Sequence, residues 1–386
     1  MNRIPPTVSA ENLTQFETLA LASSMNLADG HARQQLTAAQ GKIVADLPNL
    51  WAEAVMRPVE EIEQEAAASF FGMLGQLSHS FAAGRTLSCY SSSLAMEILA
   101  RSLATASEAS DAVALIHPTF DNIPDILRGV GLRLVPVEEG QVHDEDLPTE
   151  LLERVGCVFI TTPNNPTGRV MSQARLRRLA EQCAEHNVVL ALDTCFRGFD
   201  PAAQFDHYAV LDASGCRWVV IEDTGKLWPT LELKIGWLVR SANVGLPIEK
   251  IHSDILLGTS PLIMLMVKRF AEDGADGGLA ELQRTIADHR ALVRAELADV
   301  PGVTFVDDHA RVSVERLHVG SRQGMDVWSA VRSQSLYVLP CQKFHWARPH
   351  EGERMLRLAL SRNPSTLLSG ARVLRSALLD APESQG

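Results

Sequence analysis

The stretch that decides how this chain folds is Trp218-Val219-Val220-Ile221-Glu222-Asp223-Thr224-Gly225-Lys226. Its first half is continuously apolar, which predicts a strand buried on both faces of a sheet. The polar second half then falls at the carboxyl end of that strand, where open α/β sheets bind their ligands. Lys226 is therefore a candidate for chemistry, although most lysines that follow strands are solvated surface residues.

Two apolar runs upstream also end in polar side chains. Residues 157–162 lead into Asn165 and a Pro-Thr-Gly turn, and residues 187–192 end at Asp193. An amide, a carboxylate and an amine at one sheet edge are the groups needed to hold pyridoxal phosphate. We expect Lys226 to form the Schiff base, Asp193 to keep the pyridine nitrogen protonated, and Asn165 to donate to the phenolic oxygen.

The sequence resembles the fold type I pyridoxal-phosphate aminotransferases over nearly its whole length, through Asn165-Pro166-Thr167-Gly168, Asp193 and Lys226 in the family's order and spacing. The resemblance implies an α/β fold, with a mixed, mostly parallel sheet in a large domain and a smaller α/β C-terminal domain. The alternation of strand and helix patterns also predicts a parallel sheet. We expect an N-terminal arm over residues 1–45, a large cofactor-binding domain over 46–270 and a small domain over 271–386.

Two further elements supply candidate cofactor contacts. A serine cluster opens the predicted helix at residues 94–100, and a helix N-terminus attracts anions, so Ser92 and Ser93 are candidates for the cofactor phosphate. Simple N-capping by serine is the alternative explanation. Phe120 follows the apolar run 112–116, and the resemblance implies that its ring stacks on the pyridine.

Three positions depart from the aminotransferase pattern. Asp223 replaces a serine, Lys234 replaces a phosphate-binding arginine, and Phe196 replaces a tyrosine. Lys234 keeps the positive charge without the bidentate geometry of arginine, and we expect Asp223 to turn towards a cation. Arg357 lies in the apolar strand 355–360 and must find an anion. By resemblance that anion is the α-carboxylate of an amino-acid substrate.

These departures match a narrower group. Residues 12–17, 26–33 and 222–226 resemble the corresponding parts of the pyridoxal-phosphate-dependent L-arginine oxidases and hydroxylases of enduracididine-type antibiotic pathways. The resemblance implies oxidation of L-arginine by dioxygen, giving 4-hydroxy-2-oxoarginine or 2-oxoarginine with ammonia and hydrogen peroxide. The arm would then close over the substrate as a lid, and His31 would act in the later oxidation steps. The residues expected to bind the substrate are Thr14, Glu17, Asp29, Asp223 and Arg357.

Composition limits the partners and the compartment. The formal net charge of −12 argues against a nucleic-acid partner. Six scattered cysteines without a CxxC pair predict a reduced, cytoplasmic protein with no zinc site, and no window is long enough to span a membrane. Because this fold usually shares active sites between two subunits, a homodimer is expected.

Three other functions remain open from the sequence. The first is an ordinary aminotransferase acting on arginine or another basic amino acid, which would need a keto-acid acceptor. The second is a pyridoxal-phosphate lyase or cyclase, such as a capreomycidine-forming enzyme, which would act without oxygen. The third is a non-catalytic ligand-binding regulator. Regulators on this fold add a winged DNA-binding domain, for which this chain has neither the length nor a basic patch.

Overall fold

The computed structural model describes residues 12–79, 84–106 and 111–380. No helix in these ranges is long and apolar enough to cross a membrane. The helices are α1 (Leu13–Ala20), α2 (Ala38–Ala45), α3 (Leu47–Met56), α4 (Val59–Met73), α5 (Ser92–Thr105), α6 (Asn122–Gly129), α7 (Glu139–Asp144), α8 (Thr149–Leu152), α9 (Gln173–Glu185), α10 (His207–Ala213), α11 (Ile248–Ile255), α12 (Pro261–Asp273), α13 (Leu279–Leu297), α14 (Gly324–Ser333) and α15 (Pro364–Asp380).

The strands form three sheets. A seven-stranded sheet has the order β2-β8-β7-β6-β5-β3-β4, a four-stranded sheet has the order β12-β13-β10-β9, and β1 pairs with β11. Their bounds are β1 (Met25–Asn26), β2 (Thr86–Cys89), β3 (Ala112–His117), β4 (Arg133–Glu138), β5 (Cys157–Thr161), β6 (Val189–Asp193), β7 (Arg217–Asp223), β8 (Gly236–Arg240), β9 (Val303–Phe305), β10 (Val314–Val319), β11 (Leu336–Tyr337), β12 (Leu339–Pro340) and β13 (Met355–Ala359).

The seven-stranded sheet brings the polar strand ends together. Its strands β4, β3, β5, β6 and β7 pair in parallel, and β8 runs antiparallel between β7 and β2. This confirms the predicted mixed, mostly parallel sheet. The register aligns Thr161 with Asp193 and Asp193 with Ile221. Asp193 at the end of β6 and Lys226 just beyond the end of β7 therefore lie at the same edge.

The C-terminal part builds a separate antiparallel sheet. Strand β13, which carries Arg357, lies between β10 and β12. A kink at Gly277, whose φ is 105°, separates α12 from α13. The division into domains at residues 45 and 270 remains a prediction.

The N-terminal arm is packed onto the rest of the chain, and its residues 1–11 lie outside the described residues. Leu13 and Phe16 on α1 are buried, and the Phe16 ring meets Trp328 of α14 edge-on at 4.9 Å. The backbone N–H of Leu13 donates to Asp121 Oδ2 at 2.7 Å. Strand β1 then pairs with β11, so the arm is tied to the C-terminal part by both packing and hydrogen bonds.

Candidate active site

A cavity of about 180 Å³ lies at the carboxyl edge of the seven-stranded sheet, beside α1 and β13. It collects side chains that are far apart in the sequence. Twelve of the thirteen predicted site residues line it, namely Thr14, Glu17, His31, Ser92, Ser93, Phe120, Asn165, Asp193, Asp223, Lys226, Lys234 and Arg357. Asp29 is the predicted residue that does not.

Lys226 is buried among carboxylates. Burial alone would lower the pKa of its amine, but the negative charges of Asp223 and Glu17 outweigh that effect and raise the pKa. Burial likewise acts to raise the pKa of Asp223, and Lys234 and Lys226 overcome it, so that pKa is lowered. These residues therefore form a desolvated set of alternating charges, in which each group stabilises the ionised form of the next.

Asp223 is held at the N-terminus of α5. Its Oδ2 accepts from the backbone N–H of Ser92 at 2.8 Å, and its Oδ1 accepts from Gly225 N–H at 2.6 Å. The expected turn towards a cation thus coincides with capping of a helix. The side chain of Ser91, which the sequence interpretation did not select, accepts from Leu94 N–H at 3.2 Å. The first turn of α5 is a site for anions.

The cavity also has groups that could hold a pyridine ring, namely the side chains of Asp193, Asn165 and Phe120. Asp193 Oδ1 accepts from Cys195 N–H at 3.1 Å, and burial raises the pKa of this carboxyl. A pyridinium N–H would add a positive partner for this buried carboxyl. The Asn165 amide, whose Nδ2 can donate to a phenolic oxygen, lines the same cavity. Together with the anion site of α5 and the amine of Lys226, these groups fit pyridoxal phosphate.

Arg357 faces the cavity from β13 with no exposed side-chain surface. Its Nη2 lies 3.4 Å from Glu17 Oε1 and also donates to the carbonyl of Ala28. Its Nε and Nη1 have no hydrogen-bond partner within the described segments. A buried guanidinium with free donors can bind a carboxylate in two-point contact. Gly30 keeps this space open, because a Cβ there would lie 3.6 Å from Lys226 Nζ and 3.9 Å from Arg357 Nη1.

Asp29 turns away from the cavity and contacts His31 instead. Its Oδ1 is 2.7 Å from His31 Nδ1, and its Oδ2 accepts from Arg33 Nε at 2.6 Å. Both oxygens thus contact the arm itself, and Asp29 orients His31 from outside the cavity lining. On the other side of the ring, Lys234 Nζ lies 2.7 Å from His31 Nε2. Lys234 also donates to Glu232 at 2.8 Å.

Two buried arginines were missed by the sequence interpretation. Arg362 donates from Nε to the carbonyl of Asn26 at 2.5 Å and from Nη1 to that of His31 at 2.9 Å, and it also donates to the carbonyl of Asp29. It therefore fixes the arm beside the cavity, and burial lowers its pKa to about 10. Arg197 forms a fully buried ion pair with Glu222 at 2.8 Å. The signal for Arg362 was a charged residue two positions after the apolar run 355–360.

One histidine cluster lies apart from the cavity. Nε2 of His117 and Nδ1 of His345 are 3.1 and 3.3 Å from Oε2 of Glu351, close enough for the three donors to surround a cation. Metal-bound histidines usually donate their second ring N–H to a partner. Here the second ring nitrogens have none among the described residues. Two imidazoles that each donate a ring N–H to Glu351 account for this geometry.

The comparison with known proteins identifies the class. The family model described as aminotransferase class I and II matches residues 58–374, and this chain belongs to that family. Its members share pyridoxal phosphate, which the cavity fits. Among solved structures, that of MppP soaked with the product 2-ketoarginine has a TM-score of 0.90 and 59% identity, covering 92% of this chain and 99% of that one. Within the family, the chain is thus a fold type I enzyme of the enduracididine-pathway type, as the sequence predicted.

More distant relatives agree in fold. Mouse kynurenine–oxoglutarate transaminase 1 is 27% identical over 161 residues, which span 37% of this chain and 38% of the relative. The probable N-succinyldiaminopimelate aminotransferase DapC of Mycobacterium tuberculosis is 26% identical over 221 residues, 53% of each chain. The chain therefore matches about half or less of the length of these curated relatives. The aspartate aminotransferase of Thermus thermophilus with maleate has the same fold, with a TM-score of 0.75 at 15% identity.

Proposed function

We propose that this enzyme oxidises L-arginine with dioxygen. The shorter reaction converts arginine, dioxygen and water into 2-oxoarginine, ammonia and hydrogen peroxide. The longer one uses a second dioxygen and a second water and gives 4-hydroxy-2-oxoarginine with a second hydrogen peroxide. The observation that carries the proposal is the 59% identity, over 92% of this chain, to a protein whose structure was obtained with 2-ketoarginine as product.

The cavity has the charges that arginine needs. Arg357 is the partner for the α-carboxylate, since its Nε and Nη1 are unused by the described residues. Glu17 and Asp223 supply negative charge for the guanidinium, and Thr14 lies on the same wall. Two carboxylates suit one guanidinium because its five N–H donors form charge-assisted hydrogen bonds. In this arrangement Glu17 exchanges its contact with Arg357 for one with the substrate.

The catalytic roles in this proposal are assigned to residues that line the cavity. Pyridoxal phosphate, when bound, supplies the electron sink. Lys226 Nζ would hold the cofactor and, once displaced, take the proton from Cα of arginine. Asp193 would keep the pyridine nitrogen protonated, Asn165 would bind the phenolic oxygen, Phe120 would stack on the ring, and Ser92, Ser93 and Lys234 would bind the phosphate. His31 handles a proton in the later oxidation, and α1 closes over the substrate to exclude water.

Oxygen uptake tests this proposal. Purified protein loaded with pyridoxal phosphate is given L-arginine without any keto acid, and oxygen consumption, hydrogen peroxide and product mass are measured. We expect uptake, and in ¹⁸O-labelled water the hydroxylated product should carry label at C4. Lys226→Ala should abolish uptake, whereas Lys250→Ala, at an exposed lysine on α11, should not change it. Turnover that requires a keto-acid acceptor would make the enzyme an aminotransferase and overturn the proposal.

We propose a homodimer as the working assembly. Trp51, Val55 and Met56 on α3 are 64, 70 and 81% exposed, and Leu231 is 88% exposed. Trp51 and Leu233 also line a wholly apolar cavity of about 340 Å³. Exposed apolar clusters of this kind mark association surfaces. Sedimentation equilibrium should give twice the chain mass, and Trp51→Glu should lower it; a monomeric wild-type protein would contradict the assembly.

A further inference from the structure

Lys234 contacts the imidazole of His31 and lies near the anion site of α5. Its Nζ is 2.7 Å from His31 Nε2 and 2.8 Å from Glu232 Oε2. A lysine ammonium has three N–H donors and no acceptor. Nε2 must therefore be the acceptor in this contact. One N–H of Lys234 is left for a further partner in the cavity.

Asp29 fixes the same tautomer from the other side of the ring. Nδ1 of His31 lies 2.7 Å from Asp29 Oδ1. Burial acts to raise the pKa of Asp29, but its contacts with His31 and the charge of Arg362 lower that pKa well below its usual range. An ionised carboxylate can only accept, so Nδ1 carries the proton. A doubly protonated ring would place an N–H of Nε2 against the ammonium of Lys234.

The backbone around the cavity brings these groups together. A Cβ on Gly225 would lie 2.6 Å from Lys234 Cδ and 3.3 Å from His31 Cδ2, so only glycine lets the two side chains approach across this segment. Leu231 and Glu232 have φ values of 52° and 69°. Left-handed backbone at consecutive non-glycine residues is costly and is typical of functional sites. This turn presents the Glu232 carboxylate to Lys234.

A phosphate at the first turn of α5 would compete for Lys234. The N-terminus of a helix attracts phosphate, and Ser92 and Lys234 line the same cavity. A hydrogen bond between two charged groups is stronger than one to a neutral imidazole. Lys234 would therefore leave a neutral acceptor for a dianion when both are within reach.

We propose that Lys234 is a positioning residue that links cofactor loading to His31. Its ammonium occupies Nε2 until the phosphate of pyridoxal phosphate binds, and it then turns to the phosphate and leaves the lone pair of Nε2 facing the cavity. The lone pair is then available to take a proton from the bound substrate. This deepens the proposed function and rests on it for the role of His31. It gives the enzyme a base that is exposed only when the cofactor is present.

Nitrogen NMR of the histidine side chains tests the inference. The full chain is labelled with ¹⁵N-histidine, and His31→Gln identifies the signal among the twelve histidines. Before loading, we expect a proton on Nδ1 and a hydrogen-bonded, unprotonated Nε2. Adding pyridoxal phosphate should move the Nε2 resonance to that of a free lone pair and leave Nδ1 protonated. In Lys234→Met without cofactor, the Nε2 resonance should already have the chemical shift that the wild type shows after pyridoxal phosphate is added.

Two further variants keep the result interpretable. Lys250→Met removes an exposed lysine whose ammonium contacts Asp254, and it should behave as wild type. Asp29→Asn releases the tautomer, because an amide can either donate to Nδ1 or accept from it. If Lys234→Met fails to fold, the wild-type titration decides: an Nε2 resonance that moves on loading supports the arrangement, and one that stays fixed contradicts it.

The outcomes separate this inference from the proposed function. A protonated Nε2 in the unloaded wild type would overturn it. It would also be overturned if the Nε2 resonance stays fixed while the absorbance of pyridoxal phosphate shows that Lys226 fully carries the cofactor. If the resonance is fixed but arginine still drives oxygen uptake, only the role of Lys234 fails. If the resonance moves but no oxygen is consumed, the oxidase assignment fails and the link between Lys234 and His31 stands.

Discussion

Glu17→Gln tests how the cavity distinguishes arginine from a neutral amino acid of the same shape. Glu17 Oε1 accepts from Gly30 N–H at 3.3 Å and lies 3.4 Å from Arg357 Nη2, with 15% of its side chain exposed. The amide keeps this shape and removes the charge. A hydrogen bond to a charged group contributes about 1.5–3 kcal/mol, so L-arginine should bind about 10- to 150-fold more weakly. L-citrulline, whose urea is neutral, should lose less than about tenfold.

Calorimetric titration under nitrogen measures both ligands without turnover. The cofactor-loaded wild type, Glu17→Gln and a control at exposed Glu150, Glu150→Gln, are titrated with L-arginine and L-citrulline. The control should match the wild type. If Glu17→Gln weakens the binding of L-arginine and L-citrulline equally, then Glu17 only holds α1 in place through Arg357. Unchanged arginine binding would refute the assignment of Glu17 to the guanidinium.

Further predictions concern the cavity and stability. Gly30→Ala should weaken arginine binding by about 1–3 kcal/mol in the same titration and leave cofactor binding unchanged, because the added methyl fills the space before Lys226 without a left-handed φ to strain it. Asp193→Asn should slow oxygen uptake by on the order of a hundredfold with the cofactor still bound, and near-normal rates would count against the pyridinium contact. Burial lowers the pKa of His345 to about 4, below the value of about 6.5 in an unfolded chain. Between these pH values the unfolded state binds a proton at His345 that the folded state does not. The contribution of His345 to the free energy of unfolding is therefore fully present above pH 6.5 and falls by at most about 3 kcal/mol as the pH drops to 4. In urea unfolding, the free energy of unfolding of His345→Gln should fall less steeply with decreasing pH than that of the wild type. An identical pH dependence of the two proteins would contradict this.

The main elements of the fold could be predicted because they depend on local patterns. The apolar runs at β5, β6 and β7 and the helix behind the serine cluster, α5, are properties of neighbouring residues, and the structure contains them close to the predicted positions. The polar residues at the strand ends could also be predicted to meet, since parallel strands align their carboxyl ends. The N-cap of α5 is Ser91, which the sequence did not single out because several serines in a row can each serve as a cap.

The roles of the arm residues could not be separated in the same way. Thr14, Glu17, Asp29 and His31 occupy one short segment, and the sequence assigned three of them alike to the substrate. In the structure the Asp29 carboxylate accepts from Arg33 and contacts the ring of His31, whereas Glu17 faces Arg357. Side-chain direction at such positions depends on the partner that tertiary packing supplies.

The sequence by itself determined the class of this protein. A lysine, an aspartate and an Asn-Pro-Thr-Gly turn after buried strands are enough, because strand direction fixes where their side chains emerge. Only the tertiary structure decided which charges meet in the cavity. Glu17 is 340 residues from Arg357, and His31 is 203 residues from Lys234. Contacts at such separations depend on how helices and sheets pack, and no local pattern in the chain encodes them.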